Sequence, residues 1–271
     1  MTTLSWILIF CLLGGVLSVL AASVYLLFPE HIRRRSLPHL VSYAIGALLG
    51  AAFLGLLPHA LESEFVTDSH NITFAVLIGI LVFFLLEKLV LWRHCHSAAC
   101  EVHTPEDTHD HHHDHDHHHH GNNKLSGSLV LFGDASHNFV DGILIAAAFL
   151  TDIHLGMVTA LAVAAHEIPQ EVGDFAVLLN SGFTRAKALL YNVLSSLTTV
   201  LGGLVAYFSL SAAEPFLPYV LAVAAASFIY VAVADLIPSL HKRTSARDGV
   251  QQVLLISLGV ATIFAAHSNL H

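Results

Sequence analysis

Charge is what this sequence has least of. Only 11% of its 271 residues are Asp, Glu, Lys or Arg, against about a quarter in an ordinary soluble domain. With 55% hydrophobic residues, such a chain belongs in a lipid bilayer. The basic residues are the scarcest of the charged ones: eleven Lys and Arg form no stripe, and the net charge is −9 with histidine neutral. That excludes a nucleic-acid-binding surface. Cysteine is nearly absent too. Cys11 lies in an apolar run, and Cys95 and Cys100 sit beside histidines, so no disulfide framework is expected. No positive charge precedes the first apolar run, Leu4 to Phe28, which is too long for a signal-peptide core and is read as a retained helix.

What is abundant is apolar sequence of membrane length. A bilayer core takes about 20 residues of helix, and eight runs of that kind follow one another: Leu4 to Phe28, His39 to Leu61, Ile72 to Trp92, Ser128 to Leu150, Leu155 to Leu179, Ala188 to Leu210, Pro215 to Leu240 and Val250 to Ala266. The expected fold is an all-α integral membrane protein of eight transmembrane helices in one domain, residues 1–271.

Lys and Arg stay on the cytoplasmic side during insertion. Arg33, Arg34 and Arg35 follow the first span; Lys88, Arg93 and Lys124 flank the gap after the third. Arg185 and Lys187 follow the fifth, and Lys242, Arg243 and Arg247 the seventh. All eleven therefore fall on one side, which places both termini outside the cytoplasm, with the plasma membrane as the expected location. The long break, 93–127, is then cytoplasmic. Its centre reads HDHHHDHDHHHH from His109 to His120, a tract that buries no core and is expected to be disordered. Interleaved aspartates and an internal position argue against an affinity tag. His111, His112, His113, His115, His117, His118, His119 and His120, with His94, Cys95, His96 and Cys100, form a candidate loose metal buffer, although their spacing is not that of a zinc finger.

Ionisable side chains inside a bilayer cost about 2.5–3.5 kcal/mol each even on the lenient insertion scale, yet two spans are full of them. Asp134, His137, Asn138 and Asp141 recur at i, i+3, i+4 and i+7, one face of the fourth span. The fifth adds His166, Glu167, Gln170, Glu171 and Asp174. The segment between them, Thr151 to His154, is short enough only for an antiparallel turn, so the stripes meet at one depth. Neither contains Lys or Arg, so mutual salt bridges do not explain them. Imidazole with carboxylate suits Zn²⁺, Fe²⁺ or Mn²⁺ rather than Ca²⁺. Pro169 is expected to kink the fifth span, and Gly142 and Gly173 to provide close-packing surfaces. His59 and Glu62 at one end, Asp235 at the other, and Asn192 in the sixth span are candidate pathway residues. Leu56-Leu57-Pro58 and Leu236-Ile237-Pro238 hint at an inverted repeat.

At these residues the chain resembles the ZIP (Zrt/Irt-like) metal transporters. His137-Asn138-Phe139-Val140-Asp141-Gly142 matches that family's HNxxDG string, and His166-Glu167-Ile168-Pro169-Gln170-Glu171-Val172-Gly173-Asp174 is similar to its HExPHExGD string. The resemblance implies a ZIP-like bundle importing Zn²⁺, in some members Fe²⁺, Mn²⁺ or Cd²⁺, with His137, Asn138, Asp141, His166 and Glu167 as ligands at one or two positions. Gln170 departs from the pattern by replacing a second histidine, which puts a binuclear centre in doubt; Glu171 compensates only if turned inward.

The expected partners are lipid and divalent metal, with a homodimer among the assemblies left open. The expected mechanism is import by alternating access. Two rivals stand beside it. Metal efflux uses similar ligands, though such exporters usually have six spans and a cytosolic domain. An intramembrane metalloprotease needs a second histidine where this chain has Gln170.

Overall fold

A computed structural model describes residues 2–95, 122–241 and 245–270. The histidine-rich tract, with His96 and Cys100, lies outside the described residues, as do Lys242 and Arg243. Eight long rods are formed: α1 Thr3–Tyr25, α2 Glu30–Glu62, α3 Ser69–Cys95, α4 Asn122–Thr151, α5 Ile153–Asn180, α6 Arg185–Leu210, α7 Glu214–Leu240 and α8 Ala246–Leu270. No strand occurs among the described residues. Seven rods are apolar enough to cross a membrane by length and composition alone. The remaining one is α5, whose polar stripe lowers its hydropathy.

Most rods outrun the apolar runs that announced them. Helix α2 begins at Glu30 and takes in Arg33, Arg34 and Arg35, while α3 continues through Cys95 and α4 starts at Asn122. The expected break at 93–127 is shorter at both ends for the same reason. Hydropathy registers lipid thickness, whereas backbone hydrogen bonding continues into the interface.

Three rods carry local irregularities with identifiable causes. Helix α1 is interrupted at Gly15, where a Cβ would lie 2.7 Å from the Ser196 carbonyl oxygen of α6. Helices α2 and α7 each contain a π-helical turn, at Ala51–Leu56 and Val231–Leu236. Both turns end two residues before a proline, Pro58 or Pro238, and both close with an N–H bonded five residues back: Leu57 to Ala52 and Ile237 to Ala232. A proline ring clashes with the preceding helical turn, and a widened turn makes room for it. The two spans thus share one device in one register. Helix α5 runs unbroken through Pro169.

Helix α5 is the central rod, in contact with α1, α2, α4, α6 and α8, while α3 packs on α7 at the edge. Helix α3 keeps Phe74, Leu81 and Leu85 exposed, a lipid-facing surface. Close crossings depend on glycine. A Cβ at Gly142 of α4 would meet the Thr199 carbonyl oxygen of α6 at 1.9 Å, and one at Gly202 of α6 the Phe139 oxygen at 2.0 Å. Gly46 of α2 and Gly259 of α8 form the equivalent pair, against Ile256 and Tyr43 oxygens at 2.0 and 2.3 Å. Gly173 has nothing within 4 Å; the expectation that it packs helices is corrected.

The α4–α5 turn that sets the two polar stripes side by side is one residue, Asp152. Its Oδ1 accepts from the His154 and Leu155 N–H groups at 2.8 and 2.9 Å. Burial opposes ionisation of this carboxyl, but those backbone hydrogen bonds outweigh it and hold it below its ordinary range. Asp152→Ala is expected to cost about 1 kcal/mol, as lost N-caps do, read as a lowered melting temperature with the fold retained.

Candidate metal centre

The antiparallel turn at Asp152 brings His137 and Asp141, one turn apart on α4, against His166 and Glu167 on α5. One ligand atom from each of the four lies within 4.8 Å of the others. His166 Nε2 is 3.2 Å from Asp141 Oδ2 and 3.2 Å from His137 Nε2. Glu167 Oε1 is 3.6 Å from His137 Nε2 and 3.7 Å from His166 Nε2. Asp141, His166 and Glu167 are at most 1% exposed, whereas the His137 side chain is 23% exposed.

The protons are arranged for a cation. His166 Nδ1 lies 3.1 Å from the Ala162 carbonyl oxygen, which can only accept, so Nδ1 carries the hydrogen and Nε2 keeps its lone pair. A carbonyl that orients a ligand imidazole through its other ring nitrogen is a regular feature of metal sites. It also explains why Asp141 lies so close to His166 Nε2 while neither Asp141 oxygen receives a hydrogen bond; both Glu167 oxygens lack one as well. Three lone-pair donors, His166 Nε2 and the Asp141 and Glu167 carboxylates, face one another in a buried space, with His137 Nε2 within hydrogen-bond distance of His166 Nε2. Unpaired charges there are strongly unfavourable unless a cation joins them.

Asn138, expected as a ligand, is engaged in hydrogen bonds in this arrangement. Its Nδ2 donates to Asp134 Oδ1 at 2.9 Å, and its Oδ1 accepts from the Thr199 hydroxyl at 2.8 Å. In this arrangement it clamps α4 to α6. A second group, Asp134, Glu167 and Glu171, also lies within 4.8 Å. Glu171 is therefore turned inward, 0% exposed. Gln170 is half-buried and approaches Asp134.

Of the candidate pathway residues, Asn192 is buried on α6, Asp174 is half-buried, and Asp235 is exposed in the π-turn of α7. His59 lines a cavity of ≈ 270 Å³ at the end of the bundle carrying the α4–α5 turn, with Ser63, Glu214, Leu217, Pro218 and Leu221. Glu62 is exposed and does not line it. From Leu221 through Ala224 and Ala225 to Phe228, this face of α7 is fully buried. Phe228 ends against His166, with ring centroids 6.3 Å apart.

Thr199, Phe228 and Glu214 did not stand out in the sequence. A hydroxyl, a phenyl ring and a helix-end acid carry no spacing signal, and only the packing of α6 and α7 against α4 and α5 reveals them. The side chains of His94 and Cys95 and the whole histidine tract lie outside what is described.

Comparison with known proteins agrees with this geometry. The family model described as ZIP Zinc transporter matches residues 2–266. Zinc transporter ZIP13 of Gallus gallus is 31% identical over 278 residues, covering 86% of this chain and 75% of that protein. ZIP13 of Homo sapiens is 30% identical over 259 residues, covering 84% and 70%. Zinc transporter ZIP4 of Rattus norvegicus is 32% identical over 248 residues, covering 74% of this chain but 38% of its own greater length. With the family model matched nearly end to end, this chain belongs to the ZIP zinc-transporter family and is a membrane transporter rather than an enzyme.

Proposed function

We propose that this protein brings Zn²⁺ into the cytosol by alternating access, with His137, Asp141, His166 and Glu167 as the transport site. The observation that carries the reading is the convergence of these four side chains within 4.8 Å at the centre of the bundle, with no Lys or Arg paired to them among the described residues. A set of four imidazole and carboxylate donors suits zinc, which commonly takes four such ligands. Fe²⁺, Mn²⁺ and Cd²⁺ accept the same donors and are expected competitors.

Direction rests on the one-sided Lys and Arg distribution, which makes the α4–α5 end extracytoplasmic. The cavity beside His59 is then the outer vestibule. Apolar side chains of α7 stand between it and His166, so the conformation is closed outward. With the interior negative, moving a dication inward is worth about 4.6 kcal/mol per 100 mV, twice the single-charge value. Histidines of the cytosolic tract supply acceptors on the far side.

Zinc content of cells expressing the protein decides direction. A rise over cells carrying the empty vector, abolished in His137→Ala, is expected. A fall would instead assign metal efflux.

A further inference from the structure

Helix α7 presents aromatic rings to two different neighbours. Phe228, 1% exposed, ends against His166 with ring centroids 6.3 Å apart. Tyr230 comes two residues later, so at 3.6 residues per turn the two rings leave the rod on nearly opposite sides. Tyr230 meets α3. Its ring stacks on Phe83, with centroids 6.4 Å apart and 30° between the planes, and its hydroxyl donates to Glu87 Oε2. One turn earlier the two rods cross closely, since a Cβ at Gly79 would lie 2.6 Å from the Ala226 Cβ. Gly79, Phe83 and Glu87 thus form one stripe at helical spacing, and it faces Ala226 and Tyr230.

Glu87 is an acid inside the third apolar run, where a carboxylate is costly unless it finds a partner. No Lys, Arg or His forms an ion pair with it among the described residues, and the adjacent Lys88 lies over the Phe84 ring, 5.6 Å from its centroid. The partner it has is Tyr230. That residue is the last of the regular helix Leu217–Tyr230, and the π-turn Val231–Leu236 starts directly after it. The clasp therefore sits at the joint between regular and irregular helix, where a fixed point holds the preceding turn, the one that carries Phe228.

We propose that Glu87 is a positioning residue for transport: through Tyr230 it holds the last regular turn of α7 so that Phe228 stays on His166 and shuts the metal centre from the cavity at His59. This rests on the transport reading above and names what keeps the outer side closed. Glu87 acts on the metal path only through α7, from the far side of that rod.

The test reads the closure itself. Ala225, 0% exposed, lies between the cavity-lining Leu221 and Phe228 on α7, and Ala225→Cys is labelled with a membrane-impermeant maleimide added outside cells expressing the full chain. Tyr230→Phe keeps the ring on Phe83 and removes only the donor, and it should speed labelling roughly fivefold or more, the scale of one lost hydrogen bond. Glu87→Ala should do the same, and the pair together no more than either alone. Glu87→Gln keeps an acceptor oxygen and should stay within about twofold of the parent. Native Cys11, buried in α1, is the control and should remain unlabelled throughout. If Ala225→Cys does not fold, Leu221→Cys provides the same readout nearer the cavity. Labelling unchanged in folded Tyr230→Phe would overturn the proposal, even with a lowered melting temperature, because the clasp would then only brace α3. Equal acceleration at Cys11 would overturn it too, as general loosening. Zinc uptake measured on the same cells separates the two readings: no uptake by the wild type removes the transport reading, whereas uptake with labelling unmoved removes only this inference.

Discussion

Zinc uptake by Asp141→Asn is expected to start at a rate lower than wild type by about two orders of magnitude or more. Changing a group that merely orients a ligand costs roughly 10–100-fold, and Asp141 is a ligand itself in the proposed transport site. Its Oδ2 lies 3.2 Å from His166 Nε2 and 3.7 Å from His137 Nε2, and it receives no hydrogen bond that would give it another purpose. Asparagine keeps the shape, so packing of α4 against α6 is preserved and the loss reports charge and ligand strength. It also places an amide hydrogen donor against ligands that offer lone pairs. Initial rates of zinc uptake by expressing cells, corrected for protein at the membrane, provide the check. A rate within a fewfold of wild type would make Asp141 an interhelical clasp.

Gly142→Ala is expected to be the most damaging single-methyl change in the bundle. The new Cβ would lie 1.9 Å from the Thr199 carbonyl oxygen and 2.8 Å from the Gly203 nitrogen, both backbone atoms that no rotamer change can move. Overpacking of a core ordinarily costs about 1–3 kcal/mol; with backbone as the obstacle the upper end applies, a fall in melting temperature of roughly 6–12 °C. The site suffers as well, since Asp141 is adjacent and the Asn138–Thr199 hydrogen bond spans the same crossing. Gly173→Ala provides the contrast. It lies two residues beyond Glu171 with open space around it, and its stability should stay within about 0.5 kcal/mol of wild type or rise slightly, because alanine is the better helix former. Thermal unfolding of both variants in one detergent separates these outcomes.

Eight spans and two polar stripes were legible in the sequence because they follow from periodicity and the cost of charge in lipid. His137 and Asp141 at i and i+4 must share a face, and a one-residue turn at Asp152 must set α5 beside it. Other features depend on three-dimensional packing. Spacing alone left open whether Glu171 faced inward, since it sits five residues from His166 and four from Glu167. Asn138 looked like a ligand by motif, and only packing shows that Thr199, a helix away, donates to its oxygen. The prolines were visible, yet their consequences were not uniform. Pro58 and Pro238 follow π-turns that absorb the missing N–H, whereas α5 continues through Pro169. Glycines looked alike too, and only the neighbouring rods show that Gly142 faces a carbonyl and Gly173 faces space.

The most direct test of the central claim is zinc accumulation in sealed proteoliposomes containing only this purified chain, started by adding external zinc with the interior held negative. Wild-type vesicles should fill faster than protein-free vesicles, and His137→Ala/His166→Ala vesicles should fill no faster than protein-free ones. Equal rates for the wild type and the double variant, both above background, would contradict the account, because zinc would then be crossing somewhere other than between α4 and α5.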